Sequence, residues 1–289
     1  MAPTGGLLST STGRPRPRFH PLRVVGVERV ADGAVAVTFG VPDGLAGEFL
    51  RFRPGQHLTL RAEIDGEPVR QSYSIAMSPS AARRSGTLRI AAAGVPGGRM
   101  STWLTTRVRP GDVIDVLPPL GDFTAPTVPD AQRHHVAIVG GSGITPVLSL
   151  ITTVLEDEPR SRVTLVYANR TAASTMFLEE LEALSRTHEG RCEVVHVRSR
   201  EPGEDSLRSG RIDRSRLVRL LDDYAPVEDV DEWYLCGPAG LVETAQDTLA
   251  DAGVDASRVH HEVFWTPPTD EHDGLRSAPA TATRERPAS

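Results

Sequence analysis

The sequence predicts two domains in series: a small antiparallel β-barrel, then an α/β domain built on a doubly wound parallel sheet. Three observations carry that reading. Residues 22–117 are short runs rich in Val, Leu and Ile, parted by Asp-Gly and Gly/Pro turns. A Pro-rich link at Pro126–Asp130 then breaks the pattern. Beyond it five apolar runs alternate with helical segments, the rhythm of a parallel sheet covered on both faces. A chain of 289 residues accommodates two such domains.

In the first domain, placed at 21–125, strands are expected at Leu22–Val30, Ala34–Val41, Gln56–Ile64, Leu88–Ala93 and Val113–Leu117. Asp32-Gly33, Asp43-Gly44 and Asp65-Gly66 read as turns between antiparallel strands, because glycine accepts the positive φ of tight hairpins. One helix interrupts, Gly97-Gly98 leading into Arg99–Val108 with Trp103 and Leu104 on its apolar face. In the second domain, placed at 131–265, strands are expected at Val136–Val139, Val163–Tyr167, Cys192–Val197, Trp233–Leu235 and Val259–Val263. Helices are expected at Pro146–Leu155, Met176–Thr187, Arg214–Leu221 and Ala239–Ala252. Residues 1–20 and 266–289 read as disordered extensions.

The run Val136–Leu150 organises the second domain. An apolar strand breaks into Gly140-Gly141-Ser142-Gly143, and Thr145-Pro146 is expected to cap and open a helix. Free N–H groups at such a start, with Gly141 and Gly143 admitting a ligand close to the backbone, suit a phosphate or pyrophosphate. Pro146 stands where the third glycine of G-x-G-x-x-G belongs, so the run by itself is equally an ordinary strand–turn–helix. Other strands of the sheet end in Asn169-Arg170, Ser199-Arg200 and Cys236-Gly237-Pro238, which places four chemistry-bearing loops on one edge.

Composition narrows the function. With 39% hydrophobic and 24% charged residues the chain reads as globular and soluble, and no apolar run approaches the ~20 residues of a membrane span. No signal-peptide pattern is present, so a cytoplasmic location is expected. Two cysteines, Cys192 and Cys236, cannot supply the roughly four ligands of an iron–sulfur cluster. His134-His135 and His260-His261 are adjacent pairs in strands and split to opposite faces, so no metal site is expected. Gly141-Ser142-Gly143 lacks the spacing of a hydrolase nucleophile elbow. Residues 1–125 hold 15 Arg against 10 acids, and residues 126–289 hold 17 Arg against 28 acids. A basic first half on an acidic protein suits an acidic partner or a phosphate-rich ligand; no nucleic acid is expected.

Six motifs then fall in order: Gln71-Ser72-Tyr73-Ser74-Ile75, Pro96-Gly97-Gly98-Arg99-Met100-Ser101, Pro119-Leu120-Gly121-Asp122-Phe123, Gly140–Pro146, Cys236-Gly237-Pro238 and Glu262-Val263-Phe264. Together they resemble the ferredoxin–NADP reductase superfamily, most of all the reductase components of bacterial oxygenases of the phenylacetyl-CoA oxygenase type. The resemblance implies FAD in the barrel and a nicotinamide nucleotide on the sheet. It sets Tyr73 against the isoalloxazine, with Ser74 hydrogen-bonded near the flavin N5 and Ile75 among the cofactor-binding residues. It sets Gly97, Gly98, Arg99, Met100 and Ser101 at a helix start facing the FAD pyrophosphate. Thr145 falls near the nicotinamide and its ribose, and Cys236, with Gly237 and Pro238, near the nicotinamide C4. Glu262 and Phe264 bring a carboxylate and an aromatic to the flavin edge, with Trp265 a rival for the aromatic role. Ser74, Cys236 and Glu262 are the catalytic candidates.

The chain departs from the family pattern in two respects. The arginine expected two residues before the tyrosine is Gln71, and Arg70 stands one residue earlier. Strand alternation turns Arg70 to the opposite face unless a bulge redirects it. Ala92 and Ala93 also lie where relatives carry a basic residue. Both departures lower the expected FAD affinity, and Arg99 is the substitute cation.

Arg170, Ser199 and Arg200, followed by Glu201, resemble a 2′-phosphate site, so NADPH is favoured, with NADH possible. No cysteine cluster follows Trp265. A separate 2Fe-2S or other ferredoxin serving an oxygenase, desaturase or cytochrome P450 is therefore the expected acceptor, and the chain is expected to be a monomer. The alternatives are a flavin reductase that releases reduced flavin, and a non-redox binding module on the same fold.

Overall fold

The computed structural model describes residues 17–124, 126–201, 203 and 205–264. The tail at 266–289, Trp265 and residues 1–16 of the expected N-terminal extension lie outside the described residues. Phe19 and His20 belong to the fold instead, since His20 opens the first strand and Phe19 lies under two arginines.

The first domain begins with a hairpin of β1 (His20–Ala31) and β2 (Ala34–Gly40), turned at Asp32-Gly33 with Gly33 at φ +69°. Asp43-Gly44 does not make a second hairpin. It forms a 3-10 turn leading into α1 (Ala46–Phe49), because β2 and the next strand are not neighbours and the chain must cross the sheet. β3 (His57–Ile64) and β4 (Glu67–Ser74) do form a hairpin, with Asp65 and Gly66 both at positive φ, 52° and 79°. There follow α2 (Pro79–Ser85), β5 (Thr87–Ala93), α3 (Arg99–Thr106) and β6 (Val113–Val116). The strand order is β4-β3-β6-β1-β2-β5. The two ends of this sheet meet where Ile75 bridges Ile90 and the Ala76 amide donates to the Arg89 carbonyl at 2.8 Å. Phe39, Leu58, Leu60, Ile90 and Leu104 are fully buried inside, each contributing about 1.5–3 kcal/mol.

The second domain runs β7 (His134–Gly140), α4 (Ile144–Asp157), β8 (Arg162–Asn169), α5 (Leu178–Thr187), β9 (Cys192–Arg198) and α6 (Arg214–Tyr224), then β10 (Glu232–Gly237), α7 (Ala239–Asp251) and β11 (Val259–Val263). All five strands are parallel in the order β11-β10-β7-β8-β9, so the winding reverses between β7 and β10. Every residue of β7 is buried, as a central parallel strand requires. A ligand crevice opens at such a reversal, outside the carboxyl ends of the strands.

At the opposite end of the sheet, Glu158 is wholly buried and ties the interdomain link down. It accepts from Arg133, His135, the Ser161 hydroxyl and the Val128 amide, while Arg133 also reaches the Pro126 carbonyl. Burial of this carboxylate opposes its ionisation, yet these donors outweigh burial and hold its pKa at about 2. His134 turns the other way, to the Thr164 hydroxyl at 2.9 Å.

Candidate active site

The barrel's contribution is the end of β4. β3 and β4 pair without a register shift, setting Leu58 opposite Tyr73, Leu60 opposite Gln71 and Arg61 opposite Arg70. Tyr73 and Gln71 therefore share the face of Leu58 and Leu60, and Arg70 is on the other. Arg70 lies over the Phe19 ring at 5.0 Å, beside Arg61 at 4.1 Å. No bulge redirects it, so Arg70 is removed from the expected cofactor contacts. Tyr73 is half-buried, and burial pushes its phenol pKa up. Ser74 is 5% exposed as a residue, and its hydroxyl makes no hydrogen bond among the described residues. Ile75 is wholly buried and donates its amide to the Gln56 carbonyl.

At the start of α3 the first bonded amide is that of Thr102, which donates to the Gly98 carbonyl at 3.0 Å. The amides of Arg99, Met100 and Ser101 are left for another acceptor. Gly97, at φ +75°, has open space where a Cβ would point, whereas a Cβ on Gly98 would strike Ser101 Oγ at 2.5 Å. The Ser101 hydroxyl does not face outward as expected: it accepts from the Val95 amide and donates to the Gly98 carbonyl, closing the turn. Arg99 reaches the Ile64 carbonyl at the β3–β4 hairpin, and Met100 is buried in the barrel core. What α3 offers an anion is therefore backbone amides over an open glycine.

In the sheet domain, Gly141–Gly143 forms a 3-10 turn that runs straight into α4. Thr145 is thus inside the helix rather than its N-cap. Pro146 has no N–H for the Ser142 carbonyl, and the Thr145 hydroxyl donates to that carbonyl at 2.9 Å instead. The glycines have divided roles. A Cβ on Gly143 would lie 2.4 Å from the Cys236 carbonyl oxygen, one on Gly140 2.8 Å from Pro238, and one on Gly237 2.9 Å from the Gly140 nitrogen. Only Gly141, at φ +53°, has open space beside it, so it alone of the four leaves room for a ligand. Tyr167, not singled out by sequence reasoning, donates its buried hydroxyl to the Gly141 carbonyl at 3.0 Å and fixes the turn from beneath.

β10 and β11 pair so that Cys236 stands opposite Glu262 and Gly237 opposite Val263. Cys236 is fully buried; burial, and then the Glu262 charge, push its thiol pKa well up. Burial also raises the Glu262 carboxyl, whose Oε2 is buried without a partner. Phe264 donates its amide to the Gly237 carbonyl at 2.8 Å and packs against the cluster containing Cys236. Further along the edge, the Ser199 amide donates to the Asn169 carbonyl and the Arg200 amide to the Arg170 carbonyl, at 2.9 and 2.8 Å. These bonds bring Arg170 and Arg200 side by side. Glu201, partly exposed, accepts from the Ala172 amide and lies 3.6 Å from Arg198.

The two halves abut. One apolar cluster contains Ala34, Ala36, Ala76 and Ala91 of the barrel together with Val139, Ile144 and Cys236 of the sheet domain. The half-buried Tyr73 ring, the unpartnered Ser74 hydroxyl, the free α3 amides and the open Gly97 fit a flavin dinucleotide. The reversal point with its open Gly141 fits a nicotinamide dinucleotide.

Comparison with known proteins agrees. Residues 21–125 match the family model of an oxidoreductase FAD-binding domain, and residues 137–247 that of an oxidoreductase NAD-binding domain. One of the subunits of the 1,2-phenylacetyl-CoA epoxidase of Escherichia coli is 39% identical over 251 residues, covering 87% of this chain and 69% of the relative. The ferredoxin reductase component of a Rhodococcus rhodochrous 3-ketosteroid-9-alpha-monooxygenase is 35% identical, covering 82% of this chain and 62% of its own. The chain thus spans about two thirds of the length of these relatives. Among solved structures, an Amycolatopsis cytochrome P450 reductase superposes with a TM-score of 0.71 at 28% identity, over 90% of this chain and 74% of that one.

Proposed function

The chain belongs to the ferredoxin–NADP reductase superfamily, and from that premise we propose that it moves reducing equivalents from NADPH through FAD to a separate iron–sulfur ferredoxin. FAD-binding and NAD-binding domains in one chain make it a flavoprotein oxidoreductase. The observation that supports this reading most directly is the shared apolar cluster, which holds Ala76, two residues after Ser74, together with Ile144 and Cys236 of the sheet. Bound FAD would supply the conversion between two-electron hydride acceptance and one-electron release.

The chain's own residues supply placement and polarity. Tyr73 offers an apolar ring face to the isoalloxazine, and Ser74 a hydroxyl for the nitrogen that gains or loses a proton. The α3 amides and open Gly97 hold the pyrophosphate of the flavin. Gly141 and the start of α4 receive the pyrophosphate of the nicotinamide nucleotide. Cys236 presents a neutral thiol to the nicotinamide, and Glu262 stands opposite it with its carboxyl pKa raised by burial. Arg170 and Arg200 form the cationic end that favours a 2′-phosphate.

The proposed acceptor is an iron–sulfur ferredoxin, and both cysteines of this sequence are buried in the sheet domain, too few to hold a cluster among these residues. An oxygenase, desaturase or cytochrome P450 is the terminal enzyme. The excess of Arg over acids in residues 1–125 suits an acidic partner, and its attraction weakens as the Debye length falls below about 10 Å above 0.1 M salt.

A second reading, a reductase that releases reduced flavin, is favoured by Gln71, the averted Arg70 and the inward Ser101 hydroxyl, which leave fewer groups to retain FAD. NADPH-driven reduction of a ferredoxin panel, compared with free FMN and FAD at low and high salt, separates the two. Salt-sensitive acceleration of a ferredoxin supports the first. Saturable turnover of free flavin alone selects the second, and a protein that takes up no FAD is a binding module.

A further inference from the structure

The segment Ser74–Met77 carries the flavin-facing hydroxyl, and it is bonded directly into the domain that receives the nicotinamide. The Ser149 hydroxyl, on α4 and fully buried, donates to the Met77 carbonyl at 2.7 Å. Ser149 is four residues after Thr145, so the two occupy one face of α4, a single turn apart. One residue before Met77, the Ala76 carbonyl accepts from both Nε and Nη2 of Arg89, at 3.0 and 2.7 Å. The same Nη2 donates to Glu180 in the first turn of α5 at 2.7 Å, and the guanidinium lies over the Phe177 ring at 5.1 Å. Two adjacent carbonyls of one short segment are thus held by two helices of the other domain, one directly and one through Arg89.

Each domain has other backbone bonds at these places. α4 closes its own ladder, and the end of β4 is already joined to β5 through Ile75 and Ala76. What the bonds set is the distance between Ser74 and the start of α4. Transfer between two bound reactants depends steeply on that distance, since an error of about 1 Å can cost on the order of 100-fold in rate. The geometry points to Ser149 and Arg89 as positioning residues that hold the flavin-facing segment 74–77 at the reacting distance from the nicotinamide-facing start of α4. The inference rests on the reading of Ser74 and Thr145 given above.

Two measurements test it. The first is anaerobic stopped-flow reduction of the FAD-loaded protein over a range of NADPH concentrations, which separates the limiting rate from nucleotide affinity. Ser149→Ala is expected to keep its FAD and to bind NADPH within about twofold, while the limiting rate falls about tenfold. Arg89→Lys, which keeps a charge for Glu180 but cannot bond the Ala76 carbonyl twice, is expected to fall in the same direction by about threefold. The second is hydrogen–deuterium exchange of the flavin-free protein. The amides of Ile75 and Ala76 are expected to exchange faster in both variants, with barrel strands β1 and β2 unchanged. Unchanged limiting rates with a lowered Tm would mean that both residues are merely structural and would overturn the inference. Should Ser149→Ala fail to fold, Arg89→Lys decides alone, and an unaltered limiting rate there overturns it. Failure of the unsubstituted protein to take up FAD or to be reduced by NADPH overturns the underlying reading and the inference with it, and that control is distinct from the variant results.

Discussion

Cys236 and Glu262 are partners across the parallel β10–β11 pair, a thiol and a carboxyl side by side at the strand ends with the carboxyl's Oε2 buried and unpartnered. The Glu262 charge makes ionisation of the thiol harder, and burial disfavours both charged forms. The thiol is expected to resist alkylation at neutral pH. Glu262 keeps its proton above the ordinary 4.5, so a protonated-carboxyl infrared band is expected to persist above that pH and to vanish in Glu262→Gln. Because the folded pKa is raised, the associated stability is complete below 4.5 and is lost as pH rises through the folded value. Cys236→Ala is expected to slow flavin reduction more than it weakens NADPH binding, and an unchanged bleaching rate would remove Cys236 from the transfer path.

In the proposed reading, nucleotide choice rests on the two joined loops. Arg200→Ala is expected to raise the KM for NADPH about tenfold and leave that for NADH nearly unchanged, since a 2′-phosphate contact is a charge-assisted one. Steady-state kinetics with both nucleotides measures this. Equal effects on both would place the phosphate elsewhere.

Gln71 shares the face of Tyr73, opposite Leu60. Gln71→Arg therefore puts a guanidinium where Arg70 cannot reach. FAD affinity is expected to tighten about tenfold, which is about 1.4 kcal/mol. Fluorescence titration of the flavin-free protein reads it directly, and Arg70→Ala is expected to leave affinity unchanged.

Acid stability follows from the far end of the sheet. Burial, then the nearby Arg162, lowers His134 to about 4, and burial also lowers His135 and His196. The unfolded chain binds these protons near 6.5 and the folded one does not. Stability is thus full above pH 6.5 and declines as pH falls toward 4, by on the order of 2 kcal/mol for His134 alone. Glu158 adds a second loss, beginning below 4.5 and ending near 2. Urea denaturation between pH 8 and 4 measures the slope, and His134→Gln is expected to flatten it.

Local dihedral demands were legible in the sequence, and distant partners were not. Asp32-Gly33 and Asp65-Gly66 make the expected turns because adjacent strands need positive φ there. Asp43-Gly44 carries the same dipeptide but lies on a crossing whose destination is set by the whole sheet. The helix α2 escaped notice although its ends are written locally: the Ser78 hydroxyl accepts from the Ala81 amide, Pro79 opens the helix, and Gly86 at φ +65° closes it. The alternation that averts Arg70 was foreseeable from period two alone. No local pattern could assign the Ser101 hydroxyl to its own turn, or join Tyr167 to a glycine 26 residues away.

The glycines at the reversal point carry a consequence for how this protein can be altered. Gly140, Gly143 and Gly237 are pressed against the backbone or side chains of the opposite strand end, so each has room for hydrogen and nothing more. β7 and β10 consequently end in one interlocked piece. A library that varies either loop singly will find these positions closed, because any side chain on one loop displaces the other. New nucleotide preferences will arise instead at the rim formed by residues 170 and 200, where exposed side chains can change without moving the strand ends.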